Sequence, residues 1–77
     1  TLHGIDADVF EFVVAPNSKA TKLKVKDLHF PKNAIIGGII RDKESFIALG
    51  DTQIKAKDRV VVFTLPGASV QIEQYFI

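Results

Sequence analysis

The stretch Ala34-Ile35-Ile36-Gly37-Gly38-Ile39-Ile40-Arg41 runs through seven apolar residues before its arginine, and its reading decides the fold. Paired isoleucines favour an extended chain, because side chains branched at Cβ fit a pleated surface better than a helix. Strict alternation would put Ala34, Ile36 and Ile40 on one side and Ile35 and Ile39 on the other. Both sides are then apolar, which predicts a strand covered twice. The run is far shorter than the ~20 residues needed to cross a bilayer as a helix.

Working outward toward the C-terminus, Asp42-Lys43-Glu44 reads as a compact polar turn, and Ser45–Leu49 returns antiparallel as a hairpin. Gly50-Asp51-Thr52 is a second turn, after which Gln53–Lys57 passes close to the sheet through Ile54. Arg59–Thr64 is a further strand, with Val60 and Val62 on one face and Val61 and Phe63 on the other, stopped by Pro66 and Gly67. In the tail, Ala68, Ile72, Tyr75 and Phe76 make a helical stripe, so the chain closes on an amphipathic helix.

Toward the N-terminus, Asp8–Val14 alternates Val9, Glu11 and Val13 against Phe10, Phe12 and Val14, a strand with at least one buried face. Ala15, Pro16, Asn17 and Ser18 break it. The piece from Lys19 to Phe30 is open to two readings. Lys22, Leu23, Lys24, Val25 and Lys26 alternate as in a strand, whereas a cap at Asn17 or Ser18 and the Val25 and Leu28 spacing suit a short helix. Pro31-Lys32-Asn33 supplies the turn into the isoleucine strand.

The sum is an α+β layer of four strands with a terminal helix. At 77 residues there is room for one domain, and a chain this short buries only about 60% of its unfolded surface. One helical layer cannot cover both faces of the sheet. Two strands apolar on both faces therefore imply either a second sheet or an exposed patch that closes on another copy, since large apolar patches are rare on monomers. A homodimer is the expectation. Residues 1–7 read as a linker or leading segment before the domain at 8–77, and the absence of an initiating methionine reads as a segment of a longer polypeptide.

Little catalytic chemistry is visible. Ten basic and nine acidic side chains give a formal charge of +1, and the basic residues are not interleaved with aromatics, so nucleic-acid binding is not supported. Lys19, Lys22, Lys24 and Lys26 form the one basic cluster and read as a solvated surface. With no cysteine there is no disulfide framework, thiolate metal site or thiol nucleophile. His3 and His29 lack acidic partners at ligand spacing, no triad is ordered, and Asp27, Asp51 and Asp58 are too scattered for a calcium loop. Asp51 and Asp58 instead stand where turns want Asp for their own backbone. No catalytic residue and no metal is predicted.

Two features remain. Gly37-Gly38 lies inside a strand rather than at a strand-to-helix turn, so it marks close approach of a neighbouring chain or ligand, not a phosphate loop. Arg41 is the best anion anchor, since a guanidinium grips a carboxylate or phosphate with two donors. Its competing role is an ion pair with Asp42, Glu44 or Asp58.

The order of VFEFVV, KATKLKVKDLHFPKNAIIGGIIR, the Gly50-Asp51-Thr52 turn, Lys57-Asp58 before a valine strand and the closing QIEQYF resembles the TrkA C-terminal domain, the C-terminal lobe of RCK proteins. Two positions depart from that family's pattern: Ala48, where many relatives carry proline, and Lys57, where glycine is frequent. The resemblance implies a small, mostly antiparallel βαβββα domain, with the segment around Lys22–Leu28 as its first helix. It also implies a non-catalytic regulatory lobe, cytoplasmic and held at the inner face of the membrane by a potassium transporter subunit. NAD(H) is expected only in a neighbouring Rossmann-type lobe. In some relatives such lobes bind cyclic di-AMP at their dimer interface, and by that comparison Ile35, Ile36, Ile39 and Arg41 are the ligand positions. The alternatives are a lobe for assembly alone, or one serving another ion or dicarboxylate transporter.

Overall fold

A computed structural model describes residues 6–77; His3 lies outside the described residues. Strands β1 (Asp8–Val13), β2 (Ala34–Arg41), β3 (Glu44–Ile47) and β4 (Arg59–Thr64) form one antiparallel sheet in the order β1-β4-β2-β3. A short helix, α1 (Ser69–Glu73), follows. The first connection, from β1 to β2, carries two single turns of 3-10 helix at Lys19–Thr21 and Val25–Asp27.

The expected helix around Lys22–Leu28 is therefore corrected to a pair of 3-10 turns, and the hydrogen bonds give the reason. An α-helix would send each N–H four residues back. Here the Val25 N–H donates to the Thr52 carbonyl at 3.0 Å and the Lys26 N–H to the Gly50 carbonyl at 2.9 Å. The Gln53 amide donates to the carbonyls of Thr21 and Leu23. The loop at 50–54 takes groups that a helix would have paired internally, while Ala20, whose N–H donates to the Tyr75 carbonyl, and Leu28 are fully buried.

The sheet has one inner face. Val60 and Val62 of β4, Ile36 and Ile39 of β2, and Leu28, Ile54, Ile72 and Phe76 build the core beneath the turns and α1. Phe12 stacks on Phe76 with ring centroids 5.2 Å apart. Ile54 reaches the core as its position after the Gly50-Asp51-Thr52 turn predicts. That turn is closed by the Thr52 N–H on the Leu49 carbonyl and by the Leu49 N–H on Thr52 Oγ1. The terminal stripe is buried at Ala68, Ile72 and Phe76, although regular α-helix stops at Glu73. Two bonds to the third residue back, from Tyr75 and Phe76, tighten the end.

Alternation along β2 fails at one point. Ile36 pairs with Val62 and Gly38 with Val61, so Gly37 is an extra residue, a β-bulge. The bulge resets the alternation. Ile36 and Ile39, expected on opposite sides, are both buried, while Ile35 turns outward and is 63% exposed. Nothing among the described residues covers the other face of the sheet, so of the two alternatives for a doubly apolar sheet the structure contains the exposed patch and not a second sheet.

Candidate functional site

That outer face is built from the remaining half of each strand. Register places Val9 beside Phe63 and Phe63 beside Ile35; Glu11 beside Val61, Gly38 and Ile47; and Val13 beside Arg59 and Ile40. Phe63 dominates it. Its ring lies over Gly37, where a Cβ would stand 2.4 Å from Phe63 Cε2. The close approach expected at the glycine pair is thus made by a side chain of the same chain. At Gly38 the Phe46 carbonyl oxygen would be 3.3 Å from a Cβ, tight but not prohibitive.

The ring divides the surface into two shallow hollows. One, of about 470 Å³, is lined chiefly by Gly37, Gly38, Ile40, Ile47, Val61 and Phe63. The other, of about 310 Å³, lies between Ile35, Phe63 and Leu65 and carries Lys32 and Asn33 at its rim. Volumes of this order suit small organic ligands. The first hollow is apolar, and Ile47 at its edge is 71% exposed.

Arg41 lies on the inner side of β2. Its Nε and Nη2 donate to the two carboxylate oxygens of Asp58 at 2.9 and 2.7 Å, and Nη2 also donates to the Gln53 carbonyl at 3.0 Å. Of the three acidic partners considered for it, Asp58 is the one it takes. Asp58 also accepts the Lys55 N–H at 2.9 Å, so its turn role holds as well. The carboxylate is 2% exposed. Burial by itself would push its pKa up; the Arg41 hydrogen bond, the Lys55 N–H and the charges of both residues outweigh that and hold it below the ordinary carboxylate value. The Arg41 guanidinium is held above its ordinary value, first by the Asp58 hydrogen bond and against its own burial. The guanidinium also sits 5.1 Å from the centroid of the Phe46 ring.

The four expected ligand positions are consequently split. Ile36, Ile39 and Arg41 are gathered on the inner side of β2, with both isoleucines buried, and Ile35 stands on the outer face beside Phe63. Sequence reading did not single out Phe63, Val61 and Ile47 as site residues. The signal was present in the second apolar face of β4, but only the pairing of β4 with β2 sets that face beside the glycines. His29 is exposed, and its carbonyl accepts the Tyr75 hydroxyl at 3.2 Å.

Comparison with known proteins places this geometry. The family model of the TrkA-C domain matches residues 9–77. A Trk system potassium uptake protein TrkA homolog of Archaeoglobus fulgidus is 40% identical over 76 residues, which cover 99% of this chain and 17% of that protein. TrkA homolog 1 of Methanosarcina mazei is 33% identical over 76 residues, with the same coverage of 99% and 17%. The chain thus spans about a sixth of the length of these relatives. Among solved structures, one described as "Structure of RCK domain with cda" superposes with a TM-score of 0.74 at 25% identity, covering 90% of this chain and 97% of that one. A family match over nearly every described residue, joined to relatives 33% and 40% identical along almost the whole chain and a superposition on a solved RCK domain, establishes that the chain belongs to the TrkA-C domain family.

Proposed function

We propose that this chain is the regulatory and dimerisation lobe of a Trk-type potassium uptake system, in which two copies meet through the outer face of the sheet and cyclic di-AMP binds at their junction. The observation that carries the reading is that face: a contiguous surface of Val9, Ile35, Ile40, Ile47, Val61 and Phe63 with an apolar hollow at its centre. Stable interfaces bury about 800 Å² per partner, and a molecule of 34 × 25 × 20 Å has a face large enough for that. The potassium uptake names of its relatives and the solved RCK domain with cda support the assignment.

In this reading the bases of the ligand lie on the aliphatic surface at Ile35 and in the hollow beside Phe63. Ile36 and Ile39 back the strand from inside, and Arg41 fixes its end through Asp58. The lobe acts by coupling: a ligand changes the arrangement of two lobes only by its difference in affinity for the two arrangements. The chain would work on the cytoplasmic side of the membrane, attached to its transporter through the parent protein, with NAD(H) confined to a neighbouring lobe. No helix among the described residues is long and apolar enough to cross a membrane.

Sedimentation velocity and calorimetry test the proposal together. The chain should sediment as a dimer, Ile47→Asp should turn it into a folded monomer, and cyclic di-AMP should release heat on the wild type and not on the variant. A monomeric wild type overturns the dimer. A dimer that gives no heat at saturating nucleotide leaves assembly as the only role.

A further inference from the structure

The two edges of the sheet are unlike. β3 is a four-residue strand beside a charged turn, a short edge flanked by charge of the kind that resists further pairing. β1 is a six-residue strand paired only to β4, and Asp8–Val13 contains no proline, glycine or lysine and no bulge. In an antiparallel pair every second residue directs its N–H and C=O away from the partner, so β1 presents a row of backbone groups with no partner among the described residues. Just beyond it the edge is taken: the Ala15 N–H donates to the Phe76 carbonyl at 2.8 Å.

Beside this open edge runs a groove of about 220 Å³ between Phe10 and Phe12 on one wall and Ser69, Val70 and Glu73 on the other. Val70, although apolar, is 72% exposed. Asp8 shares the groove side of β1 with the two phenylalanines, and neither Asp8 nor Glu73 forms an ion pair among the described residues. The strand and helix that frame the groove carry charge of one sign on its side. All ten lysines and arginines lie between Lys19 and Arg59, so the strand and the helix that frame the groove carry Asp8 and Glu73 with no basic side chain of their own; Glu11 lies on the opposite face of β1 and pairs with Arg59.

We infer that the β1 edge is a docking site for an extended segment of a partner protein, which adds as a strand beside β1, sets an apolar side chain into the groove and flanks it with lysine or arginine facing Asp8 and Glu73. Main-chain bonds supply affinity in this mode of recognition, and the alternate side chains supply specificity. The opposite sign of the partner's charge follows from the acidic frame. This surface is separate from the outer face described above, and the inference does not rest on ligand binding or dimerisation there.

The test titrates the 77-residue chain into a fluorescein-labelled peptide, TKVLVKT, and reads anisotropy, with amide spectra to locate the contact. As an added strand the peptide presents Lys-Leu-Lys to the groove. Saturable binding is expected below about 1 mM, with shifts confined to β1 and α1. TEVLVET should bind at least roughly tenfold more weakly, as should TKVLVKT to the Glu73→Lys and Val70→Ser variants. Both substitutions are at exposed positions, and unchanged core amide shifts would show the fold retained. Absence of binding at that concentration overturns the inference, as does equal affinity for the glutamate peptide. Amides of β1 that shift on dilution of the free chain, with no response to peptide, would assign the edge to a second copy and overturn it equally.

Discussion

Replacing Arg41 with alanine removes two hydrogen bonds from a carboxylate that is 2% exposed and leaves Asp58 with one donor, the Lys55 N–H. Bonds to charged groups are worth about 1.5–3 kcal/mol each, and the contact of the guanidinium with the Phe46 ring adds about 0.5–1 kcal/mol. Water reaching the site recovers part of this, since the arginine side chain is itself 30% exposed. The expected loss is about 3–5 kcal/mol, the range for breaking one side of a buried pair. Domains have about 0.05–0.15 kcal/mol of stability per residue, so the variant would be left marginal. Urea unfolding followed by circular dichroism should show the midpoint lowered by roughly 2 M or more.

The pH dependence separates this account from simple loss of packing. In the wild type the Asp58 carboxyl titrates below its unfolded value of about 4. Its contribution is therefore present above that value and is lost as pH falls through the folded pKa. In the variant, burial is no longer opposed by Arg41, the carboxyl rises above its unfolded value, and the variant recovers relative stability as it protonates. The gap between the two proteins should be widest near neutrality and should narrow on acidification, beginning above about pH 4 as the variant's raised carboxyl protonates and continuing down through the lowered wild-type pKa. A loss under about 1 kcal/mol at neutral pH, or a gap that stays constant with pH, would refute the reasoning.

Three further outcomes are expected. Ile39→Asp should prevent folding, because Ile39 is in the core, and a random-coil far-UV spectrum beside a folded Ile47→Asp would separate the inner from the outer face. Gly37→Ala should cost about 1–2 kcal/mol by forcing the Phe63 ring aside, and a double-mutant cycle with Phe63→Leu should recover most of it. Lys57 holds a φ of 74°, a region that costs residues other than glycine about 1–2 kcal/mol; Lys57→Gly should raise the thermal midpoint despite glycine's greater freedom in the unfolded chain.

Patterns carried by neighbouring residues were legible. The bounds of β2 and β4 follow directly from their apolar runs, and Asp8–Val14 alternates as read, with Phe10 and Phe12 turned inward and Val9 and Val13 outward. The left-handed backbone at Lys57, with a φ of 74°, was not disclosed by the residue type alone. What local pattern could not carry was set by distant partners. The backbone groups of Val25 and Lys26 go to a loop some 25 residues away, and no propensity in KLKVKDL encodes that loop's demand. Arg41 faced three acidic candidates, and the nearer Asp42 and Glu44 lost to Asp58 because the inner side of β2 aims it there. The two faces of β2 were misassigned beyond Gly37 because alternation presumes that each residue consumes one step of the ladder.

That presumption has a consequence for comparing this chain with its relatives. β2 has eight residues, but it crosses β4 as though it had seven, since Gly37 spends no step of pairing. Removing Gly37 would leave Ile36 opposite Val62 and Gly38 opposite Val61 with ordinary alternation, every later side chain keeping its side. A one-residue gap between relatives at this point therefore records a kink gained or lost, not a slipped strand, and the residues after it should be aligned as if the gap had moved nothing. The length of this strand is free to drift by one while the surfaces it builds stay where they are.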